Sequence, residues 1–263
     1  MNDIRLYMFQ GGQQRCMAHH IWMNRNDNAL VEIPIPWFLL VHPKGNAIID
    51  GGLAVEGLAD PGAYWGASID AFVPLMCEED GCIAQLSVLG VRPEEIRFVA
   101  LSHLHSDHTG GIGRFPNATH IVQRSELEYA HNPDWFAAGA YVPKDFDRPQ
   151  LEWQFLEGDR TDFYDVYGDG VLQAIFTPGH SVGHQSFLIT LPSSGAILIA
   201  ADAVYTLDHW NEKALPSLMS SAVDVARSVK KLRALVDRTG AMLVTGHDPQ
   251  DWSRYKLAPA YLD

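Results

Sequence analysis

Apolar residues along this chain fall into two kinds of run. Short stretches rich in β-branched and aromatic residues, bounded by Gly, Pro, Asn and Asp, predict strands. They lie near 4–9, 36–42, 46–49, 97–101, 119–123, 152–156, 171–176, 185–191, 196–201 and 241–245. Segments with helical spacing predict helices near 69–75, 80–90, 124–131, 222–237 and 250–257. The clearest is AVDVARSVKKLRALVD (222–237), where Val225, Val229, Leu232 and Val236 recur at helical intervals with Lys and Arg on the other face. Strands come first, helices are interspersed, and the order repeats in the second half. That order predicts an α/β fold with helices outside packed sheets. Segment 132–150, rich in Pro, Asp and aromatics but without periodicity, reads as a long surface loop or lid, the kind of segment that carries substrate contacts.

Composition narrows the picture. With 263 residues, 47% hydrophobic and 19% charged, the chain suits one large globular domain or two small ones. A net charge of −13 repels phosphate backbones, so no nucleic-acid partner is expected, and an anionic substrate would need a local basic pocket. Cys16, Cys77 and Cys82 form an odd, sparse set without a CxxC pair, which argues against a disulfide framework. The N-terminus has no apolar run of signal-peptide length, and no stretch is long enough to span a bilayer. The expectation is a soluble cytoplasmic protein with no membrane partner.

The histidines change the picture most. His103, His105, Asp107 and His108 stand within six residues, directly after the apolar run RFVALS. Alternate positions of an extended segment project the same way, so His103, His105 and Asp107 can converge while His108 turns aside. Gly110 and Gly111 follow, permitting a tight reversal and close approach of backbone to a metal. Imidazoles and a carboxylate are ligands that zinc, iron or manganese accept, and a cluster this dense can serve two cations. His180 after VLQAIF, Asp202 after ILIAA and His247 in MLVTGHD each close an apolar run, where a β-scaffold presents side chains to a common site.

The order HxHxDH, His, Asp, His resembles the metallo-β-lactamase superfamily. The strings IVQRSELEYA, TPGHSVGHQS, ADAVYT and TGHDP resemble its N-acyl-homoserine-lactone lactonases, and the likeness spans nearly the whole chain. It implies one hydrolase domain over 1–263, a four-layer αβ/βα sandwich with two divalent metal ions, zinc above all, at one edge. His103, His105 and His180 would hold one ion, Asp107, His108 and His247 the other, and Asp202 would bridge them. His184 fits an orienting role for loop 177–186, and Asp50 either hydrogen-bonds near the metals or simply forms a turn. His19, His20, His42, His120, His131 and His209 carry no ligand argument, although His209 could border the pocket.

The implied reaction is opening of the lactone ring of N-acyl homoserine lactones. Two cations about 3.5–4 Å apart would share a water and bring its pKa from ~15.7 toward ~7, giving a hydroxide that attacks the ester carbonyl. Tyr205 either donates to the developing oxyanion or merely packs, and Asp107 could shuttle the proton. The apolar acyl chain needs a hydrophobic wall, for which Met17, Tyr64, Trp65, Leu218 and Met219 are candidates, with the small Ser106 widening the mouth. A γ-butyrolactone lactonase, a glyoxalase-II-like thioesterase and a metal-binding sensor stay open as alternatives. No Ser-His-Asp arrangement is needed for this reaction. Native metal, acyl-chain length and a monomer or homodimer state are not legible in the sequence.

Overall fold

Side-chain alternation along the strands sets the layers of the fold. The computed structural model describes residues 4–26 and 28–263. Among them, seven runs form β1 (Arg5–Met17), β2 (Leu30–Val41), β3 (Asn46–Ile49), β4 (Phe72–Leu75), β5 (Ile96–Ala100), β6 (Thr119–Gln123) and β7 (Glu152–Leu156). Five more form β8 (Phe163–Asp165), β9 (Leu172–Phe176), β10 (Gln185–Leu191), β11 (Gly195–Ala201) and β12 (Met242–Thr245), and β13 is Tyr261–Leu262. One sheet runs β13-β1-β2-β3-β5-β6-β7, with β4 paired to β1, and the other runs β12-β11-β10-β9-β8.

Leu6, Met8, Phe38, Leu40, Ala47, Ile49, Phe98 and Ala100 of the first sheet face Phe187, Ile189, Ile197 and Ile199 of the second in one buried core. Their neighbours Tyr7, Phe9, Trp37, Leu39, Ile48 and Val99 point outward under the helices Cys82–Val88, Arg124–His131 and Pro143–Phe146. On the far side, Leu188, Leu198 and Ala200 meet Val225, Val229, Leu232 and Leu235 of the helix Ala222–Thr239. The layers are therefore helix, sheet, sheet, helix, as the sequence predicts. The last helix starts where Ser221 Oγ accepts from the Asp224 N–H at 3.2 Å and ends at Gly240, φ 67°.

Several boundaries differ from expectation, each for a local reason. Residues 69–75 are not a helix: a single turn, Ser68–Ala71, gives way to β4, which takes up the free hydrogen bonds of β1. The helix expected at 80–90 is Cys82–Val88, after the 3-10 turn Glu78–Asp80. The one expected at 250–257 stops at Trp252 because Trp252, Tyr255 and Leu257 turn down onto the core. Strand β2 begins at Leu30, six residues before the sequence suggests, although it contains Pro34 and Pro36. Both prolines sit opposite the Gln10/Gln13 register break of β1, where the ladder is already interrupted. Strands β8 and β13 are three and two residues long, too short to show a pattern. Segment 132–150 is a loop only in part. It carries turns at Ala138–Ala140 and Pro143–Phe146, and buries Asp145 and Phe146.

The strands β3, β5 and β6 are parallel, as are β11 and β12, so their C-terminal ends share one edge, where ligands collect in such sheets. Two loops at this edge are locked together. The Gly110 N–H donates to Gly52 O at 2.7 Å, and a Cβ on Gly51 would lie 2.2 Å from Gly111 N. The close approach that Gly110 and Gly111 permit is thus to another stretch of backbone. Gly51→Ala is expected to destabilise the protein by about 1–3 kcal/mol, since neither backbone can yield cheaply. Urea denaturation of both proteins checks this, and an unchanged midpoint would show that the loops are free to part.

Candidate metal centre

Each chemically active side chain sits just past a strand end. His103, His105, Asp107 and His108 follow β5, His180 follows β9, Asp202 follows β11, and His247 follows β12. Ala201 takes a left-handed φ of 46°, a conformation costing an L-residue about 1 kcal/mol, and this turn presents Asp202 to the centre.

The seven side chains converge in two groups. In the first, His180 Nε2 lies 3.1 Å from His103 Nε2 and 2.9 Å from His105 Nδ1. Asp202 Oδ2 stands 3.2 Å from His180 Nε2 and 3.7 Å from His103 Nε2. In the second, Asp107 Oδ1 is 3.7 Å from His108 Nε2 and its Oδ2 is 3.6 Å from His247 Nε2. Asp202 Oδ1 faces that group, 3.4 Å from His108 Nε2 and 3.1 Å from His247 Nε2. One oxygen of Asp202 therefore addresses each group.

The outer ring nitrogens explain which lone pairs point inward. His180 Nδ1 donates to Leu218 O at 3.0 Å, His247 Nδ1 to Pro34 O at 2.8 Å and His108 Nδ1 to Asp50 Oδ2 at 2.9 Å. Ser102 Oγ donates to Asp50 Oδ2 at 2.8 Å and accepts from the His103 Nδ1–H at 2.9 Å. Asp50 is thus a hydrogen-bonding partner of ligands as well as a turn residue. Burial, with the His108 and His105 rings, holds His103 well below the ordinary histidine range, and burial with His180 does the same to His105. Burial also opposes charge on His108, but Asp202, Asp107 and Asp50 outweigh it and raise that ring well above the usual value. Among the described residues, His108 Nε2 and Asp202 Oδ1 are buried without a hydrogen-bond partner. Nitrogen lone pairs facing one another at about 3 Å repel unless a cation lies between them, so this donor set fits divalent metal ions.

Supporting groups tie the ligand loops together. His184 accepts the Asp202 N–H at Nε2, 3.1 Å, and donates from Nδ1 to Thr177, so it fixes Asp202 as well as loop 177–186. Glu126, fully buried, accepts from Leu104 N, Ser181 Oγ and Gly183 N, and so fastens the loop after β5 to the loop after β9. Glu126 stands in IVQRSELEYA with no role legible from the string, since local spacing cannot show a contact made 55 residues away.

A cavity of about 440 Å³ opens over the ligands, with Ser106, Asp107, Tyr205 and Leu218 in its lining. Four of the expected wall residues lie elsewhere. Met17 is exposed at the end of β1, and Trp65 is buried with Ile35, Leu53 and Val142. Tyr64 donates its hydroxyl to Asp145, and Met219 packs on the outer helix layer. Gly and Pro punctuation marks a loop without fixing where its side chains point. The apolar wall is instead Ile21, Ile33, Phe72, Trp135 and Phe136 with Leu218. His209 does not line this cavity; its Nε2 donates to Ile21 O at 3.1 Å.

The family model of the metallo-beta-lactamase superfamily matches residues 31–247. A protein of Azorhizobium caulinodans named N-acyl homoserine lactonase AttM is 59% identical over the full length of both chains. An N-acyl homoserine lactonase of Bacillus thuringiensis is 31% identical over 98% of each chain. The solved structure of an N-acyl homoserine lactone hydrolase, with the product N-hexanoyl-L-homoserine bound at its catalytic metal center, superposes with a TM-score of 0.88 at 28% identity, covering 98% of each chain.

Asp50→Asn keeps the shape of the turn but removes the anionic acceptor behind His108. Its affinity for one of two divalent ions is expected to fall about 10–100-fold. Titration against a chromophoric chelator reads this directly, and two unchanged binding steps would rule out the supporting role.

Proposed function

The chain belongs to the metallo-beta-lactamase superfamily, and from that premise we propose that it hydrolyses the lactone ring of N-acyl homoserine lactones with two zinc ions. One observation carries the reading: Asp202 offers one oxygen to each of two ligand groups on the floor of a largely apolar cavity. His103, His105 and His180 would hold one ion and Asp107, His108 and His247 the other, with Asp202 shared. When bound, such ions bring the pKa of a coordinated water down toward ~7 and polarise a carbonyl.

The rest of the chemistry belongs to the chain. Burial, with the Asp202 and Asp107 carboxylates, pushes the Tyr205 phenol well above its usual range, so it keeps its hydrogen at neutral pH. His180 Nδ1 already donates to Leu218 O, so at 3.3 Å the Tyr205 oxygen can only accept from it. The phenol hydrogen is therefore left to face the cavity and the oxyanion that develops on the substrate. Asp107, which lines the cavity, takes the proton released in the attack and returns it to the ring oxygen as the alkoxide leaves. The wall of Ile21, Ile33, Phe72, Leu218, Trp135 and Phe136 covers the acyl chain.

The cavity also weighs against the alternatives. A bare γ-butyrolactone would leave most of that wall uncovered. No Lys or Arg lines the cavity among the described residues, which disfavours the carboxylates of a glutathione thioester. A sensor has no need of a phenol facing the ligands. No described helix is long and apolar enough to cross a membrane. We place the protein in the cytoplasm because its three cysteines are unpaired.

Alkali uptake in a pH-stat with N-hexanoyl-homoserine lactone tests the function. The metal-loaded protein is expected to release acid, whereas the chelator-stripped protein and Asp202→Ala are not. A loaded protein with two ions per chain that leaves this lactone intact would overturn the assignment. Tyr205→Phe should lower kcat by about 10²–10³ with little change in KM. A loss confined to KM would reduce Tyr205 to a packing residue.

A further inference from the structure

Among the described residues, Gln14 is the one polar side chain of the cavity wall, away from the ligands, whose position the proposed reaction does not yet explain. It sits in the middle of β1, paired with Ile33 of β2 on one side and Pro74 of β4 on the other. Strand alternation puts it on the same face as Cys16, which packs with Ile33 and Tyr205. Its side chain lines the cavity and only 6% of the residue is exposed. Yet its amide makes no hydrogen bond to any described residue.

The amide atoms are not among the fully buried unpaired polar atoms of the described residues, so they open onto the cavity, where a ligand can reach them. The other polar groups in the lining are already engaged. Ser68 Oγ donates to Trp65 O at 2.8 Å, Tyr205 sits against His180, and the remaining acids and imidazoles are the ligands. Ser106 also lacks a side-chain partner, but it stands between His105 and Asp107, inside the run of candidate ligands. An apolar residue at position 14 would extend the wall begun by Ile33 and Phe72, so packing alone does not call for an amide there.

We infer that Gln14 is the specificity-determining residue that pairs with the acyl-amide of the substrate. This rests on the lactonase reading above. A carboxamide carries both donor and acceptor, the complement of a secondary amide. In an N-acyl homoserine lactone the amide nitrogen is bonded to the carbon next to the ring carbonyl. A ring whose carbonyl lies at the ligands therefore brings its amide to the first residues of the wall. Gln14 is placed there: its pairing partner Ile33 adjoins Pro34, whose carbonyl anchors His247. Because β1 is hydrogen-bonded on both sides at this point, the backbone of Gln14 is held rigidly and the amide is presented ready for use.

The test compares two lactones with the same apolar reach, N-hexanoyl-homoserine lactone and the amide-free α-hexyl-γ-butyrolactone. In Gln14→Leu, kcat/KM for the amide-bearing lactone should fall about 10–100-fold while that for the amide-free lactone stays within about 2-fold. Gln14→Met, longer and more adaptable, should give the same selective loss and guards against misfolding of the leucine variant. The melting temperature of a folded variant should stay close to that of the unaltered protein, since the amide removed has no partner within it. Equal losses on both lactones, or no loss on either, would overturn the role of Gln14. An unaltered protein that opens neither lactone would instead sink the lactonase reading, and this inference with it.

Discussion

Four of the five imidazoles can turn bare lone pairs toward the two groups because their outward N–H has an acceptor, and the rest of the site follows from that constraint. An imidazole that flips loses its outer hydrogen bond and places a proton where a cation should sit. The acceptors that prevent this are drawn from distant parts of the chain: Leu218 O, Pro34 O, Asp50 and Ser102. Three of the four are supplied by backbone or by a group fixed by backbone, since Asp50 is itself held by the Ser102 N–H at 2.7 Å. The centre is therefore specified as much by where strands end as by which residues ligate.

Two sheets packed face to face make this possible. The C-terminal ends of β3 and β5 in one sheet and of β9, β11 and β12 in the other meet at a common edge, and each contributes a short loop. Loops alone would be too loose to hold ligands to fractions of an ångström. They are stiffened by direct joints: Gly51 against Gly111, Glu126 between Leu104 and Ser181, His184 between Thr177 and Asp202, and the Ser106 N–H on Ala140 O at 2.9 Å. The left-handed turn at Ala201 is strain tolerated at the point where a carboxylate must face two ligand groups at once.

Much of this was legible in the sequence because the ligands are dense and chemically unusual. Three histidines and an aspartate within six residues have no packing purpose at a strand end, and the nearly unbroken apolar runs of β10 and β11 mark strands buried on both faces. The cavity wall was not legible. Phe72 and Ile21 look no different from core residues, and Phe72 became a wall residue only because β4 pairs with β1 where helical spacing suggested otherwise. Glu126 and Gln14 were invisible for the same reason: a buried polar residue shows its purpose only when its partners, or their absence, can be seen. Met17, Tyr64, Trp65 and Met219 were reached by reasoning from loop punctuation, which locates bends in the chain and says nothing of side-chain direction.

Charge connects the fold to the reaction it is proposed to run. A lactone is neutral and its ring-opened product is a carboxylate, so a single turnover changes how the molecule experiences the protein's field. With a net charge of −13 and no Lys or Arg lining the cavity among the described residues, the chain presents no long-range attraction to an anion. On the proposed reading, entry would be governed by burial of the acyl chain against Ile21, Ile33, Phe72 and Leu218, a term indifferent to the protein's charge. The new carboxylate would then find no attraction in the cavity apart from ions held at the centre. A basic pocket would strengthen product binding and slow release, so the acidic composition and the apolar wall serve the same end: they discriminate substrate from product by charge while recognising both by shape.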